Sequence, residues 1–187
     1  MEKIPIPPNV FIPMPVVLVG TQVAGKANFM TVGWCARANA NPPMIACGIG
    51  SHHYTPKGIE AAKTFSVNIP SADLLEKTDY CGLVSGGKTD KSAVFDVFYG
   101  SLKTAPMIRE CPLSLECRLV KSVPLPTNTL FIGEIVGAYA DARVLKDGKP
   151  DFPAIDPLFL TMPDNRYWTL GKYAGDAWSA GKNLVQR

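Results

Sequence analysis

A mainly β fold, a closed antiparallel barrel capped by short helices, is what this sequence predicts. Three observations carry that expectation. The chain of 187 residues contains 17 prolines and 16 glycines, so it reverses direction often. Roughly seven short runs are either continuously apolar or alternate with period two. Only two helical patterns occur, both short, so helices can cap the sheet but cannot form a layer of their own. Closing the sheet removes its exposed edges.

Taken in order, residues 1–14 read as an extended arm broken by Pro5, Pro7, Pro8 and Pro13. Val16–Gly20 is β-branched and apolar, Gly25 turns the chain, and 29–35 returns, which predicts a hairpin. Pro42-Pro43 precedes another strand over Met44–Gly50. Thr55 followed by Pro56 predicts a helix start with a hydroxyl cap, with Ile59 and Ala62 facing inward. Over 64–70, Phe65, Val67 and Ile69 alternate with Ser66 and Asn68, which predicts a strand with a polar outer face. Ser71 should cap a second helix over about 72–81, with a stripe of Leu74, Leu75, Thr78 and Cys81 and Gly82 as its stop. Residues up to 112 look irregular. Alternation resumes over 113–121, with Ser114, Glu116 and Arg118 on the polar side. Thr129–Ala138 follows as an apolar strand with Gly133 and Gly137 as bulge points, and Tyr139–Leu145 continues it. Lys146-Asp147-Gly148-Lys149 is a hairpin turn, and 152–187 is aromatic and irregular. One domain accounts for 1–187.

Composition narrows the functions. Apolar residues are 47% and charged residues 19%, which suits a globular chain. The net charge of +3, with no block of like charges, gives no nucleic-acid tract. Five cysteines without a Cys-x-x-Cys spacing point to a reducing, cytoplasmic setting, with Cys35, Cys47 and Cys117 as small hydrophobes in strands. The prolines of the arm leave room for neither a signal peptide nor a membrane span. His52 and His53 are the only histidines, and neighbours in an extended segment face opposite ways, so no zinc site is expected. No Gly-x-Ser-x-Gly turn supports a serine hydrolase.

Three stretches can carry binding chemistry. Asn28, Met30, Thr31, Val32, Gly33 and Trp34 combine small or β-branched residues with a large π surface. That suits a planar ligand lying on backbone, although a strand with a buried Trp reads equally well from these residues alone. Cys35 follows directly, as a packed thiol or a ligand contact. Ser51, His53 and Thr55 stand at a helix N-terminus, which attracts anions. Ser85, Gly86 and Lys91 belong to a loop rich in glycine, hydroxyls and lysine, which is either a phosphate cradle or a surface loop.

These motifs occur in a fixed order: Asn-x-Met-Thr-Val-Gly-Trp, Pro-Pro with a Tyr-Thr helix start, Phe-Ser-Val-Asn-Ile-Pro, Ser-Gly-x-x-x-Asp-Lys and Leu-Phe-Ile-Gly-Glu-Ile-Val. The set resembles the flavin reductase-like, FMN-binding split-barrel family, in its flavoredoxin-like branch, from about residue 10 to 175. The resemblance implies a six-stranded Greek-key split barrel that forms a homodimer, with FMN held non-covalently near the interface. By the same analogy Met30–Trp34 lines the isoalloxazine and ribityl chain, Ser51, His53 and Thr55 sit near the phosphate, and Ser85, Gly86 and Lys91 close over the cofactor. The implied activity is that of an oxidoreductase, drawing electrons from NAD(P)H or a redox protein. The alternatives are a non-enzymatic FMN electron carrier and a flavin-free binding barrel. One departure stands out. Family members that reduce free flavin carry Gly-Asp-His before the Leu-Phe-Ile-Gly strand, and here Pro126-Thr127-Asn128 takes its place.

Overall fold

Seven strands form one antiparallel sheet: β1 (Val17–Val23), β2 (Lys26–Val32), β3 (Cys35–Asn39), β4 (Met44–Gly50), β5 (Thr64–Ile69), β6 (Leu113–Pro124) and β7 (Asn128–Ala140). The structure is a computed structural model that describes residues 1–185. Spatial order is β2-β1-β5-β6-β7-β4-β3. The two edge strands, β2 and β3, are neighbours in sequence and are joined by Gly33-Trp34 without pairing to each other. The sheet therefore curls around one core, and its hydrogen-bonded ring is split where the predicted ligand platform lies. All seven strands contribute to that core, through Val17, Val19, Val32, Cys35, Cys47, Ile49, Phe65, Val67, Cys117 and Phe131. The mainly β split barrel stands as expected, with seven strands in its sheet instead of six.

Local chemistry explains most of the path. The β1–β2 hairpin turns on Ala24 and Gly25, both at positive φ (51° and 77°), and Asp147-Gly148 does the same later at 51° and 73°. Register shifts in β7 fall at Ile132/Gly133 and Ile135/Gly137, the predicted bulge points. Cys35, Cys47 and Cys117 pack inside as small hydrophobes, and all five cysteines are free.

Several expectations fail for identifiable reasons. Helix α1 (Thr55–Ala62) has no side-chain cap: it is Tyr54 that precedes it, and the Thr55 hydroxyl accepts from Asn28 Nδ2 instead (2.9 Å). The second helix begins as a 3₁₀ turn over Ala72–Leu74, continues as α2 (Leu75–Leu83), and runs past Gly82. Ser71 bonds Asp73, and Leu75 points to solvent, while Leu74, Thr78 and Cys81 form the buried stripe. The strand after 138 ends at Ala140, and 142–144 is 3₁₀.

The polar faces of β5 and β6 are covered at Ser66, Asn68, Ser114 and Glu116, and of the residues expected on those faces only Arg118 stays exposed. The stretch read as irregular contains a short hairpin, Val97–Tyr99 with Pro106–Ile108, that lies over them. Ser66 donates to Pro106 O, and Asn68 bonds Leu18 O (2.9 Å), the Ile108 N–H (3.0 Å) and Ser114 Oγ (2.8 Å). Glu116, 1% exposed, accepts from Ser101 N and Oγ, Leu102 N and Tyr139 OH at 2.6–3.1 Å. Burial pushes its carboxyl up, and these donors outweigh that and hold it below its ordinary value. The chain approaches so closely here that a Cβ on Gly20 would stand 2.4 Å from Pro106 O.

Candidate functional site

A groove follows the split in the barrel along β2. Its first cavity, about 460 Å³, is lined by Met30–Trp34, Gly48–Gly50, His52, His53, Thr127 and Asn128. A second, about 190 Å³, adjoins it through Met30, Thr31 and His53, and adds Thr55, Ser85, Gly86 and Lys91. Beyond Trp34 opens an apolar cavity of about 880 Å³, walled by the arm residues Val10–Pro15 and by Leu125–Asn128.

The first cavity is mostly apolar. Trp34 is 48% exposed, so the reading of a buried strand Trp is excluded. Phe11 of the arm stacks on it at 6.3 Å and 29°. Gly48 sits under the indole, where a Cβ would lie 3.4 Å from Cε3. The Val32 side chain points into the core, so this residue offers the groove only its backbone. Thr31 donates to Thr78 O and ties β2 to α2.

The second cavity is polar. Thr55 accepts from Asn28, so its own O–H proton remains available, beside the first turn of α1, where N–H groups carry a partial positive charge. Lys91 is 4% exposed and donates to Cys81 O (2.8 Å) and Val84 O (3.1 Å), capping the C-terminus of α2. Two of its three hydrogens are thus committed, and one remains for a ligand. Burial lowers its pKa, opposed by Cys81. Burial also lowers that of His53, reinforced by His52 and Lys91.

The glycine loop differs from a cradle of free amides. Lys88 N and Thr89 N both donate to Ser85 O at 3.0 Å, and Gly87 N donates to Ser85 Oγ at 3.4 Å. The loop satisfies itself, which leaves Ser85 O–H, Gly86 and Lys91 as the parts that face the cavity. Of the predicted residues, Met30, Thr31, His53, Thr55, Ser85, Gly86 and Lys91 come together around one cavity. Ser51 does not join them: its N–H bonds Thr127 O (3.0 Å) and its hydroxyl lies toward Thr129. Asn28 acts through Thr55.

Sequence reading missed Tyr54, Gly48 and His52 as lining residues. His52 and His53 sit in a turn, not an extended segment, so their rings share one side, 4.0 Å apart. They bring two imidazoles to the cavity at which Pro126-Thr127-Asn128 supplies none. Asn128 pairs with Gly50 across β7 and β4 and lines the same cavity. No group of three or more His, Cys, Asp or Glu is arranged to hold a metal among the described residues.

A split barrel whose mostly apolar cavity adjoins an anion-friendly one suits a flavin. The flavin reductase like domain family matches residues 10–164, and the chain belongs to that family. It is 59% identical to flavoredoxin from Methanosarcina acetivorans, covering 98% of this chain and 100% of that one at a TM-score of 0.97. Flavoredoxin of Desulfovibrio vulgaris (Miyazaki F) is 31% identical, with 97% and 100% covered and a TM-score of 0.90. A protein of Archaeoglobus fulgidus described as uncharacterised is 36% identical over 129 residues, 67% of this chain and 72% of its own length. Membership carries a flavin-binding, oxidoreductase-type role. No helix among the described residues is long and apolar enough to cross a membrane.

Proposed function

We propose that the groove holds FMN without a covalent bond and that the protein takes up electrons there and passes them to a small-molecule or protein acceptor. The observation that carries this reading is the junction of two unlike cavities along β2: a mostly apolar space of about 460 Å³ beside Trp34 and Gly48, and a smaller polar space of about 190 Å³ beside Thr55, Lys91 and the start of α1. The donor set fits a phosphate monoester: a hydroxyl proton, one ammonium hydrogen and a helix N-terminus. When bound, FMN supplies reversible two-electron chemistry at its ring. The chain's residues bind and orient it. Trp34 and Met30 exclude water from one side, Thr127 and Asn128 bound the other, and His52 and His53 are the groups able to exchange a proton with the ring cavity. The protein itself is further proposed to be a homodimer with the FMN near its interface. Apolar Ile4, Ile6, Val10 and Ile12 on the exposed arm, continuous with the cavity beside Trp34, support that.

The test is the absorption spectrum of the purified protein, followed by anaerobic addition of NADH, NADPH and a chemical reductant. The visible flavin bands should be present and should bleach with the chemical reductant. Bleaching by a nucleotide identifies a pyridine-nucleotide donor. Yellow colour that survives both nucleotides favours a redox protein as donor, in keeping with Pro126-Thr127-Asn128. A colourless protein that ignores added FMN contradicts the proposal.

A further inference from the structure

The polar end of the groove stops at a single contact. Gly86 lies against Asn28 and Tyr54, so closely that a Cβ there would stand 1.8 Å from Asn28 Oδ1 and 3.2 Å from Tyr54 Cδ1. Asn28 is buried, and its amide is fixed by the bond to Thr55 Oγ1. The loop that carries Gly86 is fixed too, by its internal bonds to Ser85 and by Lys91 reaching Cys81 O and Val84 O. On one side of the contact is the 190 Å³ cavity of Thr55 and Lys91. On the other is a separate cavity of about 340 Å³ that shares Tyr54, Gly86 and Lys91 and adds Lys26 and Lys88.

We infer that the Gly86–Asn28–Tyr54 contact is a mononucleotide stop that selects FMN over FAD. This rests on the flavin reading of the groove. FAD continues beyond its first phosphate into a second phosphate and an adenosine, and the direct continuation of the groove is closed by two side chains and a backbone pressed on them. The space behind is not hostile to that extension. Lys26 and Lys88 suit a second phosphate and outnumber the one carboxylate of that lining, Asp90, and Tyr54 offers an aromatic face. Selectivity therefore comes from a steric wall, not from missing affinity. Only a residue without a side chain can complete the wall, which gives Gly86 its reason.

The experiment compares FMN and FAD binding to apoprotein by flavin fluorescence, for the wild type and for Asn28→Ala and Tyr54→Ala, each of which thins the wall from one side. The wild type should prefer FMN by about 100-fold or more, and each variant should bring the ratio below about tenfold by gaining FAD affinity. A wild type that binds FAD within tenfold of FMN overturns the stop, as do two variants that keep the wild-type ratio. If Asn28→Ala fails to fold, the wild-type ratio and Tyr54→Ala decide the matter. Binding of neither flavin removes the flavin reading itself. Binding of FMN with an unmoved ratio removes only the stop.

Discussion

The two ends of the groove offer a ligand different physics. The end at Trp34 works by shape: a half-exposed indole, a glycine beneath it and backbone at the split in the barrel. The end at Lys91 works by charge and donors, most of which are shared with the fold. Lys91 caps α2, Thr55 anchors Asn28, and Thr31 ties β2 to α2. A change at the first end should therefore cost binding alone. A change at the second should cost binding and stability together.

The largest expected effect lies at the polar end. Lys91→Ala should weaken FMN by about 1.5–3 kcal/mol, the worth of a charge-assisted contact, and should collapse the preference for FMN over riboflavin. It should also lower the melting temperature of the apoprotein, because Cys81 O and Val84 O lose their donor. Titration with both flavins, alongside thermal melting, checks each half. Unchanged FMN affinity would remove Lys91 from the site and leave it a helix cap.

Trp34→Ala should have a smaller effect, roughly 0.5–1.5 kcal/mol, the worth of an aromatic pair, and it should weaken FMN and riboflavin equally. Its binding loss should be insensitive to ionic strength, whereas the contribution of Lys91 should shrink as salt rises. If the two variants respond alike to salt and to riboflavin, the division between the ends is wrong.

The smallest effect concerns pH. Burial, His52 and Lys91 hold the His53 pKa below its ordinary value of 6.5. A base depressed in the folded state favours its neutral form, so apoprotein stability is full above that value and is lost as pH falls through it towards the lowered one. Melting temperatures measured across this window should decline toward acid, and His53→Asn should flatten the decline. Bound FMN, being anionic, should oppose the loss by favouring the charged imidazole.

How far these ends were legible in the sequence follows the same division. The ring end is one continuous strand with its turn, so Met30–Trp34 announced itself through local pattern, as did the Asp-Gly turn and the bulge glycines of β7. The polar end is assembled from three segments, and its groups find other partners than the pattern predicts, one within the loop and one from a distant strand. The amides of 87–89 turn inward because Ser85 accepts them. The hydroxyl of Thr55 leaves its helix because Asn28 reaches it. Ser66, Asn68 and Glu116 are polar by pattern yet buried, because a hairpin concealed in an irregular stretch folds over them. Period-two alternation reports which side chains share a face; it does not report what later covers that face.

The central claim is that this groove binds one FMN per chain, with ring and phosphate held by its two ends. Quenching of flavin fluorescence during titration of the apoprotein tests it most directly. Stoichiometric quenching by wild type, with FMN favoured over riboflavin and binding lost in the Trp34→Ala/Lys91→Ala double variant, is the result expected. Flavin fluorescence left unchanged by the wild type, or equal binding by the double variant, would contradict it.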